Sequence, residues 1–464
     1  MPAALALALP AAANSTEDEA QRVDEIAAFL CALSGKALVC PAHSRFAKGR
    51  LFNPLNFGQA FRQQKAPMQH ATPEEITADH AFMEKMIAIR HDIHTHPETA
   101  FEEVRTSALV AEFLEGLGME VHRGLGKTGV VGTLKGKRPG QKVIALRADM
   151  DALHITEDTG VPYTSQVAGK MHACGHDGHT TMLLGAAEKL AANPDFAGTV
   201  RFIFQPAEEG GGGANEMIKD GLFDLFPTDA IYGVHNGPMD PLGQMTTRVG
   251  PYTSASDDWE IVFEGTGGHG ASPEKATDPT VAAGQFMANL GNVVSRHVAL
   301  TDWAVVSIGH VSGGERESAN IIPAKVLVAG TARSYRPEVR DTLQREITRL
   351  AEGCAMACGV EAHVDYERGY PPLVNTAEEV AVTGRAHAAS LGAEMADTKA
   401  PAIGASEDFA YFLEKIPGAY VSIGNGDGPD AAFVHTPKFD FNDKLIPIGV
   451  AYWMNIVAEE LGGA

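Results

Sequence analysis

Residues 171–180 (MHACGHDGHT) place four potential metal ligands, Cys174, His176, Asp177 and His179, directly before a predicted helix. Thiolate, imidazole and carboxylate groups are the ligands that zinc and neighbouring transition metals take in proteins. The alternative is a helix whose N-terminus is capped by Asp177, with histidines that only pack. This segment alone leaves both interpretations open, and the remaining segments favour the metal.

Carboxylates and imidazoles also follow four apolar stretches elsewhere in the chain. They are Asp149 and Asp151 after residues 143–146, Glu208 and Glu209 after 200–204, His235 after 230–234, and His435 after 431–434. Ligands of open α/β sheets bind outside the carboxyl ends of the strands. We therefore expect these residues and the 171–180 segment to form one shared site.

The Glu208–Glu209 pair predicts a division of roles. Adjacent residues in extended backbone point in opposite directions, so the two carboxylates can reach one site from different sides. One carboxylate can coordinate a metal while the other accepts a proton from an activated water, as metal-assisted hydrolysis requires. The alternative is a pair of solvated loop carboxylates. The glycines at 210–213 allow a sharp turn, and the absence of a following GK[ST] excludes a P-loop.

Three further patterns resemble functional motifs but favour structural roles. Gly124 to Gly129 matches G-x-G-x-x-G, yet a strand-like run follows it, which predicts a hairpin turn. The histidines at 91, 94 and 96 lie at a helix end before Pro97, where we expect structural roles. Cys354 and Cys358 lie one turn apart on an apolar helix and are predicted to be core residues.

The elements around these motifs predict an α/β fold. Short apolar strands alternate with helices on both sides of the middle region, which indicates an open, mostly parallel sheet. The middle region has β-α-β-β-α-β order, the ferredoxin-like pattern. We therefore predict an N-terminal extension over residues 1–75, a catalytic domain over 76–252 and 367–464, and an inserted segment over 253–366.

The inserted segment carries three candidate substrate-binding residues. His269 lies in a glycine-rich loop, where an imidazole can approach a ligand and donate to a developing oxyanion. Asn320 and Arg333 could hold a carboxylate or an amide. Taken alone, each of the three fits an exposed turn or surface residue better than a binding role.

Composition excludes several classes of function. The chain has 464 residues with 37 Lys and Arg against 59 Asp and Glu, a formal net charge of −22 that disfavours nucleic-acid binding. No apolar run is long enough to span a bilayer. Five cysteines without a CxxC pair suit a reducing compartment, so we expect a cytoplasmic protein. Residues 1–13 resemble the apolar part of an export signal but lack a preceding positive charge, which favours a simple tail.

These motifs together resemble the family of bacterial hippurate hydrolases and plant auxin-conjugate amidohydrolases, relatives of aminoacylases and two-metal carboxypeptidases. The matching stretches run in the family's order from about residue 90 to the C-terminus. They are RHDIHTHPE, LRADMDAL, MHACGHDGHT, FIFQPAEEG, GVHNGP, GGHGASP, SANIIP, GTARSY, SEDFAYFLEKIPGAY and HTPKFDFND. The resemblance says nothing about the first 75 residues or so.

The resemblance implies a catalytic domain over a two-metal centre, with an inserted ferredoxin-like lid that forms homodimers. Its implied metal ligands are Cys174, His176, Glu209, His235 and His435. Cys174 would bridge the ions and Glu208 would be the general base. Asp149 and Asp151 would orient ligands, although Asp149 stands where many relatives carry a ligating histidine. His269 and Asn320 would bind substrate or the tetrahedral intermediate.

The resulting expectation is a metal-dependent amidohydrolase that cleaves N-acyl amino acids to a carboxylate and a free amino acid. Thiolate and imidazole ligands favour zinc, with manganese close behind and cobalt or nickel possible in the same site. A deacetylase or dipeptidase of the same superfamily is the alternative enzyme. A metal-binding protein without turnover is the alternative from another class, and an unliganded base at Glu208 argues against it.

Overall fold

The computed structural model describes residues 68–426, 428 and 431–463. Most of the predicted N-terminal extension, including residues 1–13, Cys31 and Cys40, lies outside the described residues. Its last residues belong to the folded part, because Ala71 is buried in the main core and Thr72 caps the first described helix. That helix begins at Pro73, inside the extension predicted over residues 1–75.

The described residues form sixteen strands, numbered here in chain order. They are β1 (Glu120–Leu125), β2 (Gly129–Lys135), β3 (Arg138–Asp149), β4 (Ala197–Gln205), β5 (Ala230–Gly237), β6 (Met245–Thr246), β7 (Gly250–Thr253), β8 (Ala255–Glu264), β9 (Gly268–His269), β10 (Ala304–Gly313), β11 (Ile321–Ile322), β12 (Lys325–Ser334), β13 (Glu361–Arg368), β14 (Leu373–Asn375), β15 (Ala396–Asp397) and β16 (Gly418–Gly424).

Twelve α-helices lie within the same described residues. They are α1 (Pro73–Ala78), α2 (His80–Thr95), α3 (Val104–Gly116), α4 (His176–Ala192), α5 (Gly213–Lys219), α6 (Leu222–Leu225), α7 (Pro279–Asn289), α8 (Gly291–His297), α9 (Pro337–Cys358), α10 (Ala377–Leu391), α11 (Ala410–Leu413) and α12 (Leu445–Leu461).

Eight strands form the large sheet, in the order β1-β2-β4-β3-β5-β16-β6-β15. The four central strands β4, β3, β5 and β16 pair in parallel, whereas β1 and β2 add an antiparallel hairpin at one edge. The mostly parallel α/β sheet predicted from the sequence is therefore confirmed. The hairpin also confirms that Gly124 to Gly129 form a turn between two strands rather than a dinucleotide-binding loop.

The main core lies between this sheet and the helices α4 and α12. Helix α12 is apolar on nearly all sides, and Trp453 is fully buried within it. A helix that is apolar all round must lie inside a protein, so α12 anchors the C-terminus beneath the sheet. None of the described helices combines the length and apolar character needed to cross a membrane.

Residues 255–368 build a second sheet with its own core. Its strands are antiparallel in the order β10-β12-β8-β13, and α7 and α9 pack against it. Trp259 and Phe263 of β8 meet Phe286 of α7 in this core. Cys354 is buried in the same core and Cys358 packs against it, as expected for structural cysteines. Helices α7 and α8 follow each other directly and are separated at Leu290.

Candidate metal centre

The parallel strands of the large sheet bring the predicted site residues to one edge. Asp149 ends β3, the Glu208–Glu209 pair follows β4, and His235 lies near the end of β5. His435 arrives by another route, because residues 431–436 form an irregular segment with a turn at 434–435 rather than the strand that the apolar character of 431–434 suggested. The backbone of His435 is left-handed at φ 62°, and its N–H donates to Ala173 O over 2.7 Å.

Cys174 is shared by two groups of three potential ligands. In the first group, Cys174 Sγ lies 3.3 Å from His235 Nε2, and His176 completes the set. In the second, Cys174 Sγ lies 3.3 Å from His435 Nε2, which lies 3.0 Å from Glu209 Oε1. The ligand atoms of each group lie within 4.8 Å of one another. The structure thus brings together all five residues for which ligand roles were predicted.

The imidazole of His176 is held as a metal ligand would be. Its Nδ1 lies 3.2 Å from Asp151 Oδ1. Its buried Nε2 has no hydrogen-bond partner among the described residues and lies 3.9 Å from Glu209 Oε1. A metal-binding histidine usually has one ring nitrogen held by a carboxylate, while its other nitrogen faces the metal and the further ligands. The orphaned nitrogen therefore fits a cation.

His235 and Cys174 have protonation states that depend on burial. Burial, with a smaller effect from His179, lowers the pKa of His235 to about 3, so its ring is neutral. Its Nδ1 lies 2.8 Å from the carbonyl of Asn236, which leaves Nε2 as the free lone pair. Burial and the charges of Glu209 and Glu208 raise the pKa of the Cys174 thiol. A bound cation would reverse that effect, because it stabilises the thiolate directly.

The side-chain carboxylate of Asp151 holds the backbone of the Glu208–Glu209 pair. The amides of Glu208 and Glu209 each donate to one oxygen of its carboxylate over 3.0 Å. The same carboxylate faces His176, so Asp151 fixes the ring and the paired glutamates relative to each other. Glu208 itself is buried, and burial together with the charge of Glu407 raises its pKa well above the usual range.

Both oxygens of Asp149 are engaged by other side chains. Arg147 Nη1 donates to Oδ2 over 2.7 Å, and His179 Nδ1 lies 2.7 Å from Oδ1. Burial opposes ionisation of Asp149, but His176 and Arg147 outweigh it and hold the pKa of Asp149 well below its usual range. His179 Nε2 accepts the N–H of Asn236, so its ring has no nitrogen left for a metal.

A buried charge network behind the site was missed by sequence reasoning. Arg147 is fully buried and donates to Gln205 Oε1 over 2.7 Å, Glu407 Oε1 over 3.0 Å and Asp408 Oδ1 over 3.2 Å. The signal available was an arginine inside an apolar strand, together with two adjacent acidic residues in the stretch SEDFAYF.

The remaining candidate histidines of the N-terminal half have structural partners. His91 Nε2 lies 2.9 Å from Asp443 Oδ2, and His94 Nδ1 lies 2.9 Å from Asp177 Oδ2. Asp177 therefore does not cap α4 as the alternative interpretation required. The N-cap is Gly175, whose φ of 95° and close approach to Asn236 exclude a side chain there.

Two of the three residues singled out in the inserted segment lie together. His269 in β9 pairs opposite Ile321 in β11, and the backbone carbonyl of Asn320 accepts the N–H of Gly270 over 2.8 Å. His269 Nδ1 accepts the N–H of Ala271 over 3.0 Å, which leaves Nε2 to donate. Arg333 lies near the opposite end of β12, paired with Ser256. Because β12 has ten residues, about 30 Å of strand separates its two ends.

Comparison with known proteins agrees with this geometry. The hippurate hydrolase of Campylobacter jejuni is 39% identical over 373 residues, which cover 80% of this chain and 96% of that protein. The N-acetyl-L-cysteine deacetylase of Bacillus subtilis is 38% identical over 378 residues, which cover 81% of this chain and 88% of that protein.

A solved structure extends the comparison to three dimensions. The YXEP protein of Bacillus subtilis, a dinuclear metal-binding peptidase of the M20 family, shares 35% identity with a TM-score of 0.71, covering 82% of this chain and 98% of that one. Peptidase family M20/M25/M40 matches residues 145–459. The resemblance drawn from the motifs is confirmed: the chain belongs to peptidase family M20/M25/M40 and is a hydrolase of amide bonds.

Proposed function

We propose that this protein is a metal-dependent amidohydrolase that cleaves N-acyl amino acids. The observation that carries the proposal is the pair of ligand groups joined at Cys174, with the buried carboxylate of Glu208 beside them. A binding site alone requires ligands but no additional carboxylate at its centre. The similarity to a hippurate hydrolase and to an N-acetylcysteine deacetylase supports the same substrate class.

The ligand set fits two divalent ions. His176 and His235 would hold one ion, Glu209 and His435 the other, and the thiolate of Cys174 would bridge them. When bound, such ions act as Lewis acids that polarise the scissile carbonyl and acidify the attacking water. We propose zinc or manganese, with cobalt and nickel compatible with the same ligands.

Glu208 is the proposed proton carrier. Its carboxylate would accept a proton from the attacking water and pass it to the leaving nitrogen, which completes amide cleavage. Asp151 accepts the backbone N–H of Glu208 and so fixes the main chain from which the Glu208 carboxylate extends. Asp149 and Asp151 would act by orienting His176, His179 and the paired glutamates rather than by binding the ions.

The inserted segment is the proposed ferredoxin-like lid and dimerisation domain, and residues 76–252 with 367–464 the proposed catalytic domain. Arg333 lies at the end of the segment where its strands meet the large-sheet part, and would bind substrate in its own subunit. His269 and Asn320 lie at the far end, which supports their action on the site of a second subunit in a homodimer. Because the proposed bridging ligand is a thiolate, we also propose a reducing, cytoplasmic location.

A substrate screen tests the proposal. Metal-reconstituted protein should hydrolyse at least one of the benzoyl-, acetyl-, indoleacetyl- or long-chain acyl-amino acids, and the preferred acyl group would separate a hippurate hydrolase from a deacetylase. Dipeptides in the same screen test the dipeptidase alternative. Chelation should abolish turnover and added divalent ion should restore it. Full activity in protein shown by elemental analysis to be metal-free would refute the proposal.

A further inference from the structure

Tyr370 lies where the chain returns from the second sheet to the large one. It follows β13 by two residues, and its carbonyl accepts the N–H of Ser256, the second residue of β8, over 3.0 Å. The strands by which the chain enters and leaves the inserted segment are therefore joined at Tyr370.

The hydroxyl of Tyr370 reaches the loop that carries the proposed general base. It donates to the carbonyl of Glu208 and accepts the N–H groups of Gly210 over 2.8 Å and Gly212 over 3.2 Å. A phenolic hydroxyl has one proton to donate and two lone pairs to accept, so this single group is fully used on the loop. Nothing in the sequence singled out Tyr370 for this role.

The loop needs such support because of its composition. Four consecutive glycines begin at Gly210, and Gly210 and Gly212 have left-handed φ values of 94° and 64°. Ala207 is left-handed as well, at φ 52°. Glycine loses more conformational freedom on ordering than any other residue, so a run of glycines holds one shape only when other groups fix it. Asp151 fixes the amides of Glu208 and Glu209, and Tyr370 fixes the following residues.

We propose that Tyr370 is a positioning residue that ties the backbone of Glu208 to the crossing point of the inserted segment. A displacement of that segment at its crossing point would shift the hydroxyl and, through it, the Glu208 carboxylate. Tyr370 would thus align the Glu208 carboxylate with substrate when the inserted segment has the position seen in this structure. This inference rests on the proposed function of Glu208 and adds the residue that couples it to the inserted segment.

Tyr411 offers a matched control. Its ring packs edge-on against Tyr370 with 6.0 Å between centroids, and its hydroxyl donates to the carbonyl of Gly369 over 3.3 Å. Tyr411→Phe therefore removes a hydroxyl from the same crossing point without touching the Glu208 loop. Tyr370→Phe keeps its ring and removes only the three bonds to the loop.

The test compares both variants in full-length, metal-loaded enzyme. Tyr370→Phe should lower kcat roughly 10- to 100-fold, the scale expected when a catalytic group is misplaced by about 1 Å. KM should stay within about twofold and metal content should be unchanged. Tyr411→Phe should keep kcat within about twofold. Wild-type kcat in Tyr370→Phe, or an equal loss of kcat in both variants, would overturn the proposal.

Hydrogen exchange gives a readout that does not depend on turnover. Amides in peptides covering residues 206–213 should exchange at least roughly tenfold faster in Tyr370→Phe than in wild type. Their exchange rates in Tyr411→Phe should equal those of wild type. Unaltered exchange in Tyr370→Phe would overturn the proposal even if the wild-type protein hydrolysed none of the substrates. If the wild-type protein hydrolysed none of the substrates but exchange were faster in Tyr370→Phe, the proposed function would be refuted. The same result would still support the proposal that Tyr370 fixes the loop.

Discussion

The carboxylates of Glu208 and Glu209 lie in different surroundings although the two residues are adjacent. Glu209 Oε1 lies 3.0 Å from His435 Nε2 and 3.9 Å from His176 Nε2, and these histidines help to hold its pKa below the usual range. Glu208 is buried near the acidic Glu407, and its pKa is raised. Adjacent positions therefore carry one carboxylate suited to a cation and one suited to a proton.

The first prediction separates these two roles by isosteric substitution. Glu208→Gln should retain its metal and lose at least ~10²-fold in kcat, the scale of general acid–base catalysis. Glu209→Gln should lose metal, because an amide is a poorer ligand than a carboxylate. Metal content is measured by elemental analysis beside kcat. Equal metal content in the two variants would contradict the division of roles.

The second prediction is that His269 acts across a dimer. Mixing inactive Glu208→Gln chains with inactive His269→Ala chains gives heterodimers in which one site carries both defects and the other neither. With random exchange, about half the dimers are mixed and half their sites intact, so about a quarter of wild-type activity should return. Mass measurement confirms the exchange. If His269 served its own subunit, no activity would return.

The third prediction concerns the start of the folded part. Asn455 is buried and exchanges two hydrogen bonds with the backbone of Ala71, over 2.7 Å and 3.0 Å. Deletion of residues 1–67 should leave turnover nearly intact, because the resemblance does not extend to them. Deletion of residues 1–78 removes Ala71 and leaves the buried side chain of Asn455 without these two hydrogen bonds. The free energy of unfolding in urea should therefore fall by at least about 2 kcal/mol more than in the shorter deletion. Equal stability of the two truncations would show that these contacts contribute nothing.

The fourth prediction tests the charge network behind the metal centre. Arg147→Met leaves Asp149, Glu407 and Asp408 buried without their cation, and should lower the free energy of unfolding by about 3–5 kcal/mol. Arg105→Met removes a partly exposed ion pair with Asp92 and should cost at most about 1 kcal/mol. Urea unfolding measures both. A similar small cost for the two variants would mean that the buried carboxylates tolerate the loss of Arg147.

Local patterns predicted much of this fold. Helix α9 begins at Pro337, and a glycine follows the last residue of both α9 and α10, which are ordinary start and stop signals of helices. The ligand-bearing positions could also be placed, because an apolar run such as residues 200–204 specifies a buried strand by itself. Once the central strands are parallel, geometry brings Asp149, Glu209 and His235 to one edge.

The supporting residues could not be predicted because their partners are distant in the chain. Arg147 and Glu407 are 260 positions apart, and the Tyr370 hydroxyl and the Glu208 carbonyl are 162 apart. A charge in a strand ordinarily marks an exposed face, and only packing of remote segments shows that Arg147 is buried. Conversely, residues 431–434 looked like a strand, yet they form none, and the backbone of the following His435 is left-handed.

The sharing of Cys174 between both ligand groups also bears on how the enzyme would fail. In the proposed two-ion centre, a single oxidation of that sulfur to a sulfenic acid by oxygen or peroxide would alter the ligand sets of both ions at once. Each oxidised molecule would therefore lose both intact ligand sets in a single event. A preparation aged in air would consist of fully active and fully inactive molecules. Its remaining specific activity would then equal the fraction of molecules whose Cys174 is not oxidised.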